Sequence, residues 1–403
     1  MAILQPIQPF RYTAKAGDPA NLLTQPYDKI SPEMQARYQA ASPYNLVRVI
    51  LPDNVYTRAA QYLDDWIREG ILAQDPAPGF YAYFQSFDVP DSAVRVTRKG
   101  FIGLGRVEDY SAGIVYRHEQ TLSGPKKDRL ELLRHTRAHF GQIFMLYPDH
   151  DGAVEPLIDQ AASLPPLMDF IDDYQVRNRA WAITDTPTIA HIQELMKPMK
   201  LLIADGHHRY ETALAYRNEN PTVASAEYVM MTFVNMYSKG LKILATHRVL
   251  RNLDGFDPVA LFQKAVAAGW SVGACASVDV LKHRLAATDP KLVQIGVLAH
   301  GEARLMQRPR TAGELDVPVL HRQVLGELLG ITEEAVRDEK YIRYVRGIDA
   351  AAAEVQHGAQ AAFLLEPTPI DDMARIAFGG GVMPQKSTDF YPKLLSGVTI
   401  YRL

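Results

Sequence analysis

Apolar residues recur along this chain in short blocks that follow two different periods. Phe80–Val89 and Thr97–Val107 are dense in aromatic and β-branched residues, the composition of half-buried strands, and their closeness predicts an antiparallel pair. Further strand-like runs are Asn45–Leu51, Gln142–Tyr147, Gln175–Ile183, Lys200–Ala204, Ala226–Asn235, Val293–Leu298 and Val398–Tyr401. Helical spacing marks Thr57–Glu69, where Tyr62 and Trp66 share one face ahead of Gly70, and also Thr188–Met196 and Tyr210–Tyr216. Ser31 followed by Pro32 predicts an N-cap and a first helical position. Lys126–Phe140 reads as a basic amphipathic helix, and Gln25-Pro26-Tyr27-Asp28 as an extended segment, because a residue before proline is pushed out of the helical region.

Strands interleaved with helices predict an α/β (α+β) chain with a mixed sheet core. A length of 403 residues exceeds one hydrophobic core, so two domains are expected. The turn-rich Leu250–Asp257 suggests a first domain over 1–250 and a second, α+β, over 251–403. The tail 379–403 mixes Gly, Pro, Lys and Ser with apolar residues that favour burial, and is expected to fold back to the site of the first domain.

Charge and cysteine content narrow the classes. A net charge of −3 gives no overall pull toward nucleic acid or anionic lipid, so neither partner is expected. The lone Cys275 excludes an intramolecular disulfide and a thiolate zinc cage. There is no basic start followed by a long apolar core, and no apolar run of about 18 residues, so a cytoplasmic protein without a membrane span is expected. Oligomeric state is not legible.

The candidate chemistry centres on Lys200–Tyr216. Asp205-Gly206-His207-His208-Arg209 must turn sharply from the end of a strand into a helix, and Gly206 supplies the permissive backbone. The helix start offers unpaired amides and a positive dipole end, which suit an anion. Arg209 adds a planar fork for phosphate oxygens, and two imidazoles can exchange protons. Asp205 can orient a histidine, hold Mg²⁺, or act as a base. The plainer alternative is a helix cap with histidines satisfying loop carbonyls.

Other segments carry similar parts. His118-Glu119-Gln120-Thr121 and Lys126, Lys127 and Arg129 bring a carboxylate, a hydroxyl and cations into one short span, as phosphoryl transfer requires. The second histidine of a zincin motif is missing there. Asp28 follows a rigid extended dipeptide and is either a site carboxylate or part of a helix start. Lys386-Ser387-Thr388 and Lys393 form a second set of cations and hydroxyls, while Arg48 and His247-Arg248 at strand ends add charge. His135 and His139 have metal-ligand spacing, but Arg134 and Arg137 beside them favour a structural reading. Neither a P-loop nor a dinucleotide-binding glycine motif is present.

Ile203–Tyr216 (IADGHHRYETALAY) resembles the hallmark of bacterial domain-of-unknown-function family 1015. The resemblance extends over Gln25–Ser31, Ser42–Pro52, His118–Leu133, Thr246–Arg248 and Met383–Gly397. The DGHHR core is also similar to an element of the ParB/sulfiredoxin superfamily, whose free serine kinase makes phosphoserine from serine. That resemblance implies a ParB/sulfiredoxin-like fold and a ligand phosphate lying against the turn. It implies a phosphotransferase acting on a small hydroxylated metabolite, with L-serine as acceptor and ATP, ADP or pyrophosphate as donor. In that scheme Gly206, Arg209, Arg48, Thr121, Lys126, Lys127, Arg129, Lys386, Ser387, Thr388 and Lys393 bind phosphate or substrate. His207 or His208 handles a proton, and Asp205 positions Mg²⁺ or the acceptor, with Glu119 or Asp28 as the alternative base. Two other readings use the same cleft: a ParB-type nucleotide-binding regulator, and a phosphatase or hydrolase.

Overall fold

The computed structural model describes residues 1–90, 92–119, 124–287 and 289–403, with residues 124–126 described by backbone alone. It contains two compact units, Met1–Lys242 joined by Pro392–Leu403, and Ile243–Tyr391. The first unit therefore ends ahead of residue 250, and residues 379–391 belong to the second.

The first unit is built on a nine-stranded mixed sheet. Its strands are β1 (Leu4–Gln5), β2 (Phe80–Asp88), β3 (Arg95–Arg106), β4 (Val115–Tyr116), β5 (Ile143–Tyr147), β6 (Met168–Ile171), β7 (Arg177–Ile183), β8 (Leu201–Asp205) and β9 (Tyr228–Asn235). They lie in the order β4-β8-β5-β9-β3-β2-β7-β6, with β1 also on β3. β2 and β3 pair antiparallel, as their composition predicts, whereas β5 runs parallel to β9. The chain is mixed α/β, in keeping with the alternation in the sequence.

Around this sheet lie α1 (Pro32–Ala41), α2 (Val47–Ile50), α3 (Tyr56–Arg68), α4 (Gly124–Thr136), α5 (Glu155–Ala161), α6 (Thr186–Met196) and α7 (His207–Glu219). Ser31 caps α1 by accepting from Met34 N. The strand expected at Asn45–Leu51 is instead the helical turn α2. Asn45 Oδ1 accepts from Val47 N at 2.9 Å, and this local cap closes the apolar run into a turn. The helix expected to reach Phe140 stops at Thr136, because Arg137 adopts a left-handed backbone with φ 47°. Ala138–His139 then pairs with Tyr401–Arg402.

Strand alternation gives the sheet two unlike faces. One carries Phe80, Phe101, Met145, Trp181, Ile203 and Phe233, packed with Ile158 of α5 and with Ile192 and Met196 of α6. The registered positions on the other face include Tyr83, Gln85, Arg98, Phe144, Asn178 and Thr232. A β-bulge decides where Asp205 points: Leu202 and Ile203 pair with Leu146 and Met145, but Asp205 pairs with Phe144. Without the extra residue Asp205 would face Ile143 and the apolar core. With it, the carboxylate joins the polar face.

The second unit is a six-stranded antiparallel sheet: β10 (Thr246–Leu250), β11 (Ser271–Cys275), β12 (Leu292–Ala299), β13 (Glu302–Pro309), β14 (Ile342–Arg346) and β15 (Ala361–Leu364), in the order β11-β13-β12-β15-β10-β14. Among the described residues no helix is long and apolar enough to cross a membrane.

Candidate functional site

The turn from β8 into α7 rests on two glycines. Gly206 has φ 92°, a left-handed conformation that L side chains rarely adopt. A Cβ there would also lie 2.9 Å from Arg209 Nε and Nη2, and one on Gly141 would lie 3.0 Å from Arg209 Nη1. The guanidinium thus occupies a slot that the two missing side chains leave open.

Asp205 stands at the centre of the charges. Its Oδ2 accepts from Arg209 Nη2 at 2.7 Å and its Oδ1 from Lys393 Nζ at 2.9 Å. Burial alone would raise its carboxyl, but the charges of Lys393 and Arg209, with Lys29 beyond them, hold it well below the usual carboxylate range. Asp205 is therefore a fixed anion and a poor proton acceptor at neutral pH.

Two imidazoles lie beside it. His118 is sealed from solvent, and its Nδ1 meets Ile203 O at 2.8 Å. A carbonyl only accepts, so Nδ1 carries the proton and Nε2 keeps its lone pair. Burial lowers this histidine to about 4. The His207 ring meets it edge-on at 4.9 Å. His207 is 9% exposed, and its Nε2 has no hydrogen-bond partner among the described residues. Burial, then the neighbouring His118, push it well below the ordinary value. Both rings are neutral at pH 7.

Arg209 also lines a cleft. Tyr27, Arg129, Phe140, Thr212 and Ser396 are among its lining residues. The C-terminal segment is woven into this wall: Ser396 N donates to Thr24 O at 2.8 Å and Gly397 N to Phe140 O at 2.9 Å.

The sequence-predicted residues do not all converge. Asp205, Gly206, His207, His208, Arg209 and Lys393 converge at the turn. Arg129 reaches the cleft, but its Nη1 donates to Ile50 O, its Nε to Asp128 Oδ2, and its plane lies over Tyr27. Arg48 is directed elsewhere: it donates to Gln39 O and Ser42 O and closes the end of α1. Asp28 is exposed beside Lys29, Glu119 is half-buried, and Lys127 is exposed. Lys386, Ser387 and Thr388 belong to the second unit, where Lys386 O accepts from Arg248 Nη2 and Ser387 Oγ donates to Pro384 O. Thr121 and the side chain of Lys126 lie outside the described residues.

Residues outside that expectation also meet here. Lys29 contributes to the field at Asp205. His118 was visible only as part of HEQT, since its role depends on a carbonyl 85 residues away. A divalent cation held by Asp205 fits this arrangement poorly, because each carboxylate oxygen already accepts from a cation.

Residues 4–324 match the model of a family described as a protein of unknown function (DUF1015). No curated protein matches the sequence. Among solved structures, the chain is similar to a variant of free serine kinase in complex with ADP, at 10% identity and TM-score 0.39, over 77% of this chain and 96% of that one. It is also similar to a conserved hypothetical protein from Pyrococcus furiosus, at 11% and 0.37, over 70% and 91%. SbnI with a C-terminal truncation, from Staphylococcus aureus, matches at 10% and 0.37, over 74% and 87%.

Proposed function

We propose that this chain, which belongs to the DUF1015 family, transfers a phosphoryl group from a nucleotide or pyrophosphate to the hydroxyl of a small metabolite. Free L-serine is the acceptor that the resemblance of the DGHHR segment to the kinase motif suggests. One observation carries the reading: a fixed ion set, Asp205 between Arg209 and Lys393, stands beside imidazoles that burial keeps neutral.

Those parts suit an in-line displacement. The acceptor oxygen forms a bond to the transferring phosphorus while the bond from phosphorus to the donor's bridging oxygen breaks. The hydroxyl proton passes to His207 Nε2, a neutral base at pH 7. Arg209, Lys393 and the amides at the start of α7 offset the charge on the transferring oxygens, and the donor's leaving oxygen departs as an anion. Asp205 orients the two cations rather than taking the proton. Mg²⁺, in this reading, arrives on the donor phosphates.

The test is an incubation with Mg²⁺ and L-serine, offering ATP, ADP and pyrophosphate in turn, with phosphoserine read by mass spectrometry. Phosphoserine formation lost in His207→Gln supports transfer. Free phosphate from phosphoserine without transfer points to a hydrolase, and tight nucleotide binding without turnover to a regulator; either outcome overturns the reading.

A further inference from the structure

The sheet face that carries Asp205 holds buried donors that find no acceptor among the described residues. Arg98 is 2% exposed, and its Nη1 has no hydrogen-bond partner among the described residues. Gln142 is fully sealed, and its Nε2 is likewise unpartnered among them. Buried donors of this kind are costly unless something accepts from them.

The two groups share one patch. The guanidinium of Arg98 lies 4.6 Å from the ring centroid of Phe144. Gln142 stands two positions before Phe144, on the same face, and its Oε1 accepts from Thr232 Oγ1 at 3.1 Å. Thr232 and Asp205 are the cross-strand neighbours of Phe144. Arg98 is also tied to the ion set through one side chain. Its Nη2 donates to Gln85 Oε1, and Gln85 Nε2 donates to the backbone oxygen of Lys393 at 3.1 Å.

The charge is unbalanced. Arg98 Nη2 donates to a neutral amide oxygen, and an aromatic face lies beneath the guanidinium. Burial lowers this arginine to about 9, with Tyr83 and Asp205 acting in the opposite sense. A sealed guanidinium in such surroundings favours an added negative charge over any other guest.

We propose that Arg98 Nη1 and Gln142 Nε2 form an oxyanion subsite that takes the carboxylate of the acceptor, so that the acceptor is a hydroxy acid rather than a simple alcohol. This assignment rests on the phosphotransferase reading for the word acceptor, but the subsite itself is a matter of binding. A carboxylate brings two acceptor oxygens, one for each of the two N–H donors. The phosphate is served separately by Arg209 and the start of α7, at the end of β8.

Calorimetric titration of the full chain near neutral pH tests it, with three probes: L-serine, ethanolamine and inorganic phosphate. Ethanolamine keeps the hydroxyl and the amine but lacks the carboxylate. L-serine is expected to bind at least about tenfold more tightly than ethanolamine. Gln142→Leu and Arg98→Met are each expected to weaken L-serine by about tenfold or more while phosphate affinity holds. Gln142→Leu keeps volume and removes the donor, so it stays informative even where Arg98→Met fails to fold. Equal binding of ethanolamine, unchanged L-serine affinity in folded Gln142→Leu, or loss of phosphate binding alone would each overturn the subsite. A chain that binds L-serine through these donors but transfers nothing keeps the subsite and loses the phosphotransferase reading. Transfer to ethanolamine as readily as to L-serine does the reverse.

Discussion

Lys393 and Asp205 are 188 residues apart in the chain, yet Nζ meets Oδ1 at 2.9 Å. The pair joins the C-terminal segment to the end of strand β8, and Arg209 takes the other carboxylate oxygen at 2.7 Å. One carboxylate thus fixes the position of two cations, one from α7 and one from the last residues of the chain. Because Asp205 is anionic at any ordinary pH, that geometry is present before a ligand arrives.

Lys393→Met keeps the aliphatic bulk and removes the charge. Its side chain is 10% exposed and that of Asp205 22%, so the pair is largely but not wholly shielded. The expected loss is about 2–4 kcal/mol of stability, somewhat below that of a sealed pair, with turnover reduced in the same variant. Lys393→Arg is expected to recover most of the stability. Urea denaturation of the three proteins checks this. Equal midpoints for the native protein and Lys393→Met would show that the pair contributes nothing.

His118 makes stability depend on pH with a definite sign. Burial lowers it to about 4 in the folded chain, so between that value and its ordinary one the unfolded chain binds the extra proton. Its contribution is complete above about pH 6.5 and declines as pH falls toward 4, by about 3 kcal/mol in all. His118→Gln is expected to flatten that part of the curve of denaturation free energy against pH. An unchanged slope would mean that the ring is not buried neutral.

The activity profile follows from the same burial. His207 lies well below its ordinary value, so the acid limb of kcat/KM is expected clearly under pH 6.5. A limb centred at the ordinary imidazole value would contradict a buried base.

The glycines on either side of Arg209 should differ in cost. Gly206→Ala forces a Cβ onto a backbone of φ 92° and to within 2.9 Å of the guanidinium. A loss of about 1–2 kcal/mol and a large drop in turnover are expected. Gly141→Ala meets Arg209 Nη1 at 3.0 Å without an unfavourable φ. It should lose turnover with little stability. Thermal melting and steady-state rates separate the two effects.

Much of this was legible in the sequence where the signal is local. The strand, glycine and helix of Leu201–Glu219 announce themselves by period and by the one residue that permits the turn. The pairing of β2 with β3 follows from composition and closeness. Composition and period do not show which partner a polar side chain takes. Asn45–Leu51 has the composition of a strand, but the Asn45 side chain caps Val47 N and makes it helical. Arg129 lines the cleft as a candidate phosphate ligand, and its bonds to Ile50 O and Asp128 could not be read from the sequence. Arg98 is one polar residue among alternating ones in β3, and nothing near it in the sequence shows that its Nη1 finds no acceptor among the described residues. The bulge that turns Asp205 to the polar face is a property of pairing, which no single strand contains.

The central claim is that Arg209, held by Asp205 at the start of α7, receives phosphate oxygens. Titration calorimetry of ADP against the native chain and Arg209→Gln measures this most directly. The predicted result is binding by the native chain that weakens by about tenfold or more in a folded Arg209→Gln. Equal ADP affinity in the two proteins would contradict it.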